Sequence, residues 1–135
     1  MIDVAPLPDA VLVAVRALRA DPSVDAIVAG RVYSRRLPEG AERPALVVTR
    51  IGGVPAHELR VDRARLQVDA WGTSEKQAHD LAQIARAALI GMRNRSGDGA
   101  VVHRVDTELG LTWNPDPTED APRYLFGVGV QLRAD

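Results

Sequence analysis

The sequence predicts an α+β domain, in which a mostly antiparallel sheet of about four strands carries helices packed on one face. Three observations support this fold class. Apolar residues recur at helical spacing in two segments, and apolar and polar residues alternate with a period of two in several later runs. The predicted elements follow the order α-α-β-β-α-β-β, so the strands come in pairs around one long helix.

The length and composition indicate one folded domain over residues 1–135. The chain has 46% hydrophobic and 26% charged residues, which is ordinary for a globular protein. Seventeen basic side chains nearly balance eighteen acidic ones, and the net charge of -1 gives no overall field that favours nucleic acid or an anionic membrane. The N-terminal segment lacks the pattern of a signal peptide, and no segment approaches the roughly 20 apolar residues of a membrane span. We therefore expect synthesis in the cytoplasm and no membrane partner.

The first thirty residues predict two helices. The first runs from about 8 to 20, because Pro8 and Asp9 suit a first helical turn and Pro22 stops the helix. It is apolar on almost every side, so it needs cover on more than one face. The second is the short run DAIVA, with Ser23 as its N-cap and Gly30 as its C-cap.

The segment RVYSRRLPEGAERP, residues 31–44, has neither helical nor strand periodicity and is predicted to be a long loop, here named the arginine arm. It holds the strongest local basic cluster of the chain, diluted by Glu39 and Glu42. Three interpretations stay open: contact with DNA phosphate, docking on an acidic protein neighbour, or a solvated loop. The clustered side chains are Arg31, Arg35, Arg36 and Arg43.

Two strands are predicted after the arm. The first is ALVVTRI, residues 45–51, and a long loop over about 52–64 separates it from the second, RLQVDAWG, residues 65–72. Trp71 in the second strand and Trp113 later in the chain lie at strand ends, where tryptophan is either a core plug or an interface anchor. Alternation gives the second strand a core face of Leu66, Val68 and Ala70 and a polar face of Gln67, Asp69 and Trp71.

The second half of the chain predicts a long helix and a hairpin. A capping box over residues 74–77 begins the helix, which ends near Gly91. After a turn cluster at 93–99, alternating runs at 101–109 and 123–132 predict an antiparallel pair across an acidic, proline-rich loop at 114–122. Gly127 and Gly129 share one face of the last strand, which leaves room for another backbone or reflects tight packing within the monomer.

No constellation in the sequence predicts catalysis, a cofactor or a metal site. The chain has no cysteine, its histidines lack metal-ligand spacing, and no phosphate-binding glycine loop or nucleophile motif occurs. Asp69, Asp106 and Glu108 are candidates for a divalent ion or for acid–base work, and the alternative is a polar sheet face. The histidines are His57 in a predicted loop, His79 on a helix and His103 in a strand.

Several short segments carry a resemblance to a known family. They are GRVY at 30–33, Pro38 and Pro44 in the arginine arm, ALVV at 45–48, LQVDAWG at 66–72, and Ala78, Leu81, Ala82, Arg86, Ala88 and Leu89 on the long helix. In this order and spacing the chain resembles the tail terminator, or tail completion, proteins of long-tailed bacteriophages. The resemblance covers roughly residues 8–92, and the last two strands agree in pattern.

The resemblance implies a structural protein of the neck, at the top of the virion tail, without turnover or cofactor. It implies a homo-hexameric ring that sits on the tail tube, stops polymerisation of the major tail tube protein and meets the head–tail connector or stopper protein. Genomic DNA would pass through the lumen without sequence-specific binding. On this basis we predict a subunit or tail-tube interface at Arg31, Arg35, Arg36, Arg43, Gln67, Asp69, Trp71, Gly127 and Gly129.

Three alternative functions stay open at this point. The first is another head–tail joining or head-completion adaptor. The second is a small nucleic-acid-binding or toxin–antitoxin-like module that uses the arginine arm, which the arm's two glutamates weaken. The third is a metal-dependent hydrolase that uses Asp69, Asp106 and Glu108, which the absence of ligand spacing weakens.

Overall fold

The computed structural model describes residues 6–56, 60–118 and 121–135 and has three helices and six strands in these ranges. The strands form one curled mixed sheet in the order β1-β2-β3-β6-β5-β4. The predicted α+β class is confirmed, but the expectation of about four antiparallel strands needs correction. The elements are α1 (Ala10–Ala20), α2 (Pro22–Val28), β1 (Val32–Ser34), β2 (Ala45–Ala56), β3 (Val61–Trp71), α3 (Glu75–Ile90), β4 (Arg95–Gly97), β5 (Ala100–Trp113) and β6 (Arg123–Ala134).

Two edge strands account for the first part of this correction. β1 lies inside the predicted arginine arm and runs parallel to β2, whereas the other strand pairs of the described sheet are antiparallel. β4 lies inside the predicted turn cluster and pairs with the start of β5. Each of these strands has three residues. A run that short shows no period of two, so the sequence pattern does not separate it from a loop.

The predicted loop at 52–64 is the second correction. β2 continues through it to Ala56, and β3 begins at Val61, so the two strands extend as a hairpin. A register shift between Arg50 and Gly52 accommodates one extra residue. The glycines and the proline of this segment are typical of loops, and they hide the strand in the sequence. Residues 57–59, including His57, lie outside the described residues.

An ion pair joins the two strands of the hairpin just beyond the bulge. The guanidinium of Arg50 donates two hydrogen bonds to the carboxylate of Asp62, at 2.6 and 2.8 Å. Asp62 is 3% exposed, whereas the Arg50 side chain is 37% exposed. Arg50 also donates to the carbonyl oxygens of Gly52 and Gly53, so one side chain ties the bulge to β3.

The main core lies between one face of the sheet and the helix layer. The predicted core face of β3 is confirmed, because Leu66, Val68 and Ala70 are fully buried. The first helix receives cover from α2, α3, β1 and β2, as its apolar character predicted. Leu12 on its outer side stays 43% exposed. The side chains of β3 that alternate with the core face point to the opposite, polar sheet face.

The helix ends follow side-chain capping, with three differences from the predicted caps. The C-cap of α2 is Ala29, in the left-handed region at φ 48°, and not Gly30. Asp21, not Ser23, is the N-cap of α2, and its carboxylate accepts from two backbone N–H groups of the first turn. Ser74 caps α3 as predicted, but Gln77 reaches back to the N–H of Thr73 instead of Ser74. None of the described helices combines the length and the apolar run needed to cross a membrane.

Candidate functional site

A cleft of about 650 Å³ lies at one end of the polar sheet face, between the arginine arm and the ends of β2, β3 and β6. The arm crosses the end of β3 and forms one wall, and the strand ends form the floor. Five of the nine predicted interface residues line this cleft. They are Arg35, Arg36, Arg43, Asp69 and Trp71, and the sequence prediction missed Asp116 and Arg123 beside them.

Trp71 is the plug of a second, smaller core in the floor of the cleft. It is 7% exposed and packs with Val47 and Ala121 on the side of the sheet opposite the helices. The guanidinium of Arg123 lies 4.8 Å from the centre of its ring, and that of Arg43 lies 5.8 Å away, so both make cation–π contacts. Its indole N–H has no acceptor among the described residues.

The second tryptophan has the opposite environment. Trp113 is 42% exposed and lies 5.3 Å from the ring of Tyr124, measured between ring centres. Tyr124 in turn meets the ring of His79 edge-on at 5.2 Å. The two interpretations of a strand-end tryptophan therefore separate: within the chain Trp71 is a plug, and Trp113 is available as a surface anchor.

Asp69 is a buried carboxylate in the same floor. It is 8% exposed and accepts a hydrogen bond of 3.1 Å from the side-chain amide of Gln67. Burial raises the pKa of its carboxyl above the ordinary value of 3.8, and the nearby charge of Arg123 and the Gln67 hydrogen bond oppose this increase. Asp69 and Trp71 thus lie beneath the arginine arm, and neither forms open surface.

Replacing Asp69 by asparagine is expected to raise the stability of the fold at neutral pH. Because the native carboxyl has the higher pKa, the native state binds its proton more tightly than the unfolded state does. The contribution of Asp69 to the free energy of unfolding therefore falls as the pH rises through the native pKa. Asp69→Asn has no proton to lose, so the free energy of unfolding of the variant lacks this decrease. Urea unfolding at about pH 3 and about pH 7 measures the difference, which should appear only at the higher pH.

Asp106→Asn is the matched control, because Asp106 is a less buried carboxylate on the same sheet face. We expect no comparable gain for this variant at neutral pH. A lower free energy of unfolding for Asp69→Asn than for the parent chain at neutral pH would contradict the prediction.

The rim of the cleft holds two arginines in an unusual setting. Arg35 has φ 74°, in the left-handed region that non-glycine residues rarely adopt. Its backbone N–H donates to Val48 at 3.0 Å, and its carbonyl accepts from the Thr49 hydroxyl at 3.4 Å. In the described ranges, the guanidinium groups of Arg35 and Arg36 make no hydrogen bond or ion pair, and both residues are exposed.

The other predicted interface residues lie outside the cleft lining. Arg31 donates to the Pro44 carbonyl at 2.9 Å and fastens the base of the arm, with Glu42 at 3.9 Å. Gln67 is the hydrogen-bond partner of Asp69. Leu109 covers Gly127, and the Glu108 carboxylate lies where a Cβ of Gly129 would stand, so side chains of this same chain fill that groove.

The carboxylates considered for catalysis or metal binding have separate partners. Asp69 bonds with Gln67, Asp106 with Arg104 at 2.8 Å, and Glu108 with Arg65 at 2.8 Å. Across the described parts of the chain, no group of three or more histidine or carboxylate side chains is arranged to hold a metal ion. The geometry therefore offers an arginine-rimmed cleft with a small apolar floor, which is a setting for recognition of a charged ligand.

Comparisons with known proteins agree with the family resemblance. A family model described as "Tail completion protein gp17" matches residues 14–106. One solved chain, from "Virion of native gene transfer agent (GTA) particle", matches with a TM-score of 0.63 at 17% identity, covering 94% of this chain and 100% of that chain. At this identity the likeness shows a shared fold. The comparison with curated proteins finds no match. Because the family model spans more than half of it, the chain belongs to the tail completion protein family and is a structural protein of the phage virion tail.

Proposed function

We propose that this protein caps the tail tube as a homo-hexameric ring, ends polymerisation of the major tail tube protein and provides the surface that joins the tail to the head connector. The observation that carries the proposal is the family match over residues 14–106, which includes all of the cleft lining except Asp116 and Arg123. Binding and positioning, without chemical turnover, are sufficient for this role.

The distribution of exposed apolar side chains supports a ring. A subunit of a cyclic ring meets its two neighbours through two different surfaces, and it needs further surfaces above and below. Large apolar residues are exposed at separate places: Leu12 on α1, Val54 on the hairpin at 67%, and Trp113 at the end of β5. These positions give the proposed subunit several distinct sites for contact with neighbours.

The charges of the polar sheet face support a passive relation to DNA. Arg65 pairs with Glu108 and Arg104 with Asp106, so these two cations of the face are neutralised within the chain. A strongly basic lumen would retain a polyanion that has to slide through it. The paired charges fit a ring through which the genome passes without sequence-specific binding.

Substituting Arg35 and Arg36 together by serine is expected to produce overlong or headless tails. The two guanidinium groups, which have no partner in residues 6–56, 60–118 and 121–135, are proposed to bind a tail-tube or connector partner. Loss of their charge-assisted contacts should lower the yield of normal, head-joined tails about tenfold or more. Electron microscopy of particles from the variant phage measures tail length and head attachment.

Arg133→Ser is the control, because it makes one such Arg→Ser change at an exposed position at the far end of β6. Its tails should be normal in length and joined to heads. If the folded double variant gives normal particles, the cleft is not part of the proposed interface. Purified subunits that never form rings, even when tail-tube ends are supplied, would contradict the ring itself.

A further inference from the structure

We propose that the cleft between the arginine arm and the end of β3 binds an extended acidic segment of a neighbouring virion protein, whose carboxylates pair with Arg35 and Arg36. The inference rests on the proposed function only in placing the partner in the tail or neck. It adds the chemical class of the ligand and the residues that recognise it. Three observations carry it: the backbone of Arg35, two guanidinium groups without a partner among the described residues, and the mixed lining of the cleft.

The backbone of Arg35 is held in a conformation that costs free energy for any residue with a Cβ. At φ 74° a glycine would be relaxed, whereas arginine is not. The hydrogen bonds to Val48 and Thr49 keep this conformation. Backbone strain of this kind is concentrated at ligand-binding and switch sites, and here it occurs beside the cleft. In the described ranges the Arg35 guanidinium has no partner that would recover the cost.

The guanidinium groups select the chemistry of the ligand. Arginine presents a planar fork of N–H donors that matches a carboxylate through two parallel hydrogen bonds. Arg35 and Arg36 are consecutive and exposed on the rim of the same cleft. A ligand with two or more carboxylates along an extended chain therefore satisfies both of them.

The size and lining of the cleft favour a peptide. Its volume of about 650 Å³ suits a few side chains, and its apolar lining is Leu37, which packs on the nearly buried Val47 and Trp71. A peptide that alternates acidic and small apolar side chains would place its carboxylates against the rim arginines and its apolar side chains against this lining. The aromatic floor also lies beneath Arg43 and Arg123, so a bound segment would lie against a surface already held by cation–π contacts.

The acidic residues of the cleft disfavour nucleic acid. Glu39, Asp69 and Asp116 line the same cleft as the arginines. A phosphate backbone needs a continuous basic path, because its affinity depends on the number of phosphates that are neutralised. Spaced carboxylates on a peptide can meet the rim arginines and avoid the acidic positions.

The test uses the full chain and a fluorescein-labelled peptide of alternating glutamate and alanine, followed by fluorescence anisotropy at about physiological salt. The glutamate peptide is expected to bind about tenfold tighter than the same peptide with glutamine. The Arg35→Ser/Arg36→Ser variant should lose this difference, and Arg133→Ser should keep it. In a Trp113→Phe background, the fluorescence of Trp71 should change as the glutamate peptide binds.

Arg35→Gly separates recognition from folding. The substitution removes the guanidinium and relieves the strain of the left-handed backbone conformation. It should therefore weaken peptide binding, while the melting temperature rises by a few degrees. Equal binding of the glutamine peptide, or equal loss in Arg133→Ser, would overturn the inference. Tighter binding of a short DNA duplex, lost in the same arginine variants, would overturn it in favour of nucleic acid. Because binding is measured without tails, its failure is distinct from a failure of tail capping.

Discussion

Gly72→Ala is expected to lower the free energy of unfolding by about 3 kcal/mol and the melting temperature by about 10 °C. A Cβ at this position would lie 2.6 Å from the backbone nitrogen of Ala78 and 2.9 Å from the carbonyl oxygen of Ser74. Both neighbours belong to the start of α3, so no side-chain rotation relieves the clash. In the variant, either α3 moves away from the sheet or the end of β3 bends.

Gly72 also connects three parts of the molecule, which adds to the effect. It follows Trp71, precedes the cap of α3, and donates its N–H to the carbonyl oxygen of Pro122 at 3.0 Å. A displacement here should therefore disturb the floor of the cleft, and the fluorescence of Trp71 should report it. Chemical and thermal unfolding followed by circular dichroism measure the change in stability.

Gly110→Ala is the matched control for this prediction. Gly110 lies in β5, and a Cβ there would meet nothing within 4 Å. The same chemical change should therefore alter the free energy of unfolding by less than about 0.5 kcal/mol. Similar losses in the two variants would show that the close approach at Gly72 is not the cause.

Arg50→Met is expected to lower the free energy of unfolding by about 3 kcal/mol. The substitution keeps much of the side-chain length but leaves the carboxylate of Asp62 buried without its partner. Asp62 is 3% exposed and stands beside Leu132 in the neighbouring strand. Water cannot replace the two lost hydrogen bonds at so buried a position. Loss of the Arg50 bonds to Gly52 and Gly53 should also loosen the bulge of β2.

Arg50 and Asp62 are not equivalent partners, and a double-mutant cycle should show this. Asp62→Leu removes the carboxylate partner of Arg50, but that side chain keeps its bonds to Gly52 and Gly53 and is 37% exposed, so the loss should be about 1 kcal/mol. Arg50→Met/Asp62→Leu removes both charges and should recover to within about 1 kcal/mol of the parent chain. Strictly additive losses in the double variant would contradict the explanation that Arg50→Met destabilises the chain by leaving the buried carboxylate of Asp62 without a partner.

The elements predicted correctly are those whose pattern is long enough to repeat. α3 buries a continuous apolar stripe along sixteen residues, and β3 alternates over its core half, so both leave a clear period in the sequence. β1 and β4 are too short to repeat. The extension of β2 is hidden because Gly52, Gly53 and Pro55 are common in loops, although here they build a bulge and a hairpin edge.

The candidate site was predicted in part, for a related reason. Alternation assigned Asp69 and Trp71 to the polar face of β3, and the structure places them there. Alternation does not show what covers a face, so the arginine arm above these residues was not predicted. Arg123 was missed because its position opposite Trp71 depends on the pairing of β3 with β6, which are far apart in the sequence.

The position of β6 has a consequence for the timing of folding. It is the last strand of the sheet in the sequence, yet it lies between β3 and β5 in the middle of the sheet. During synthesis the edges of β3 and β5 therefore stay without their shared partner until residues beyond Arg123 have been made. A chain that stops earlier lacks the centre of the sheet as well as one side of the cleft, so the cleft is complete only on chains whose synthesis has passed this strand.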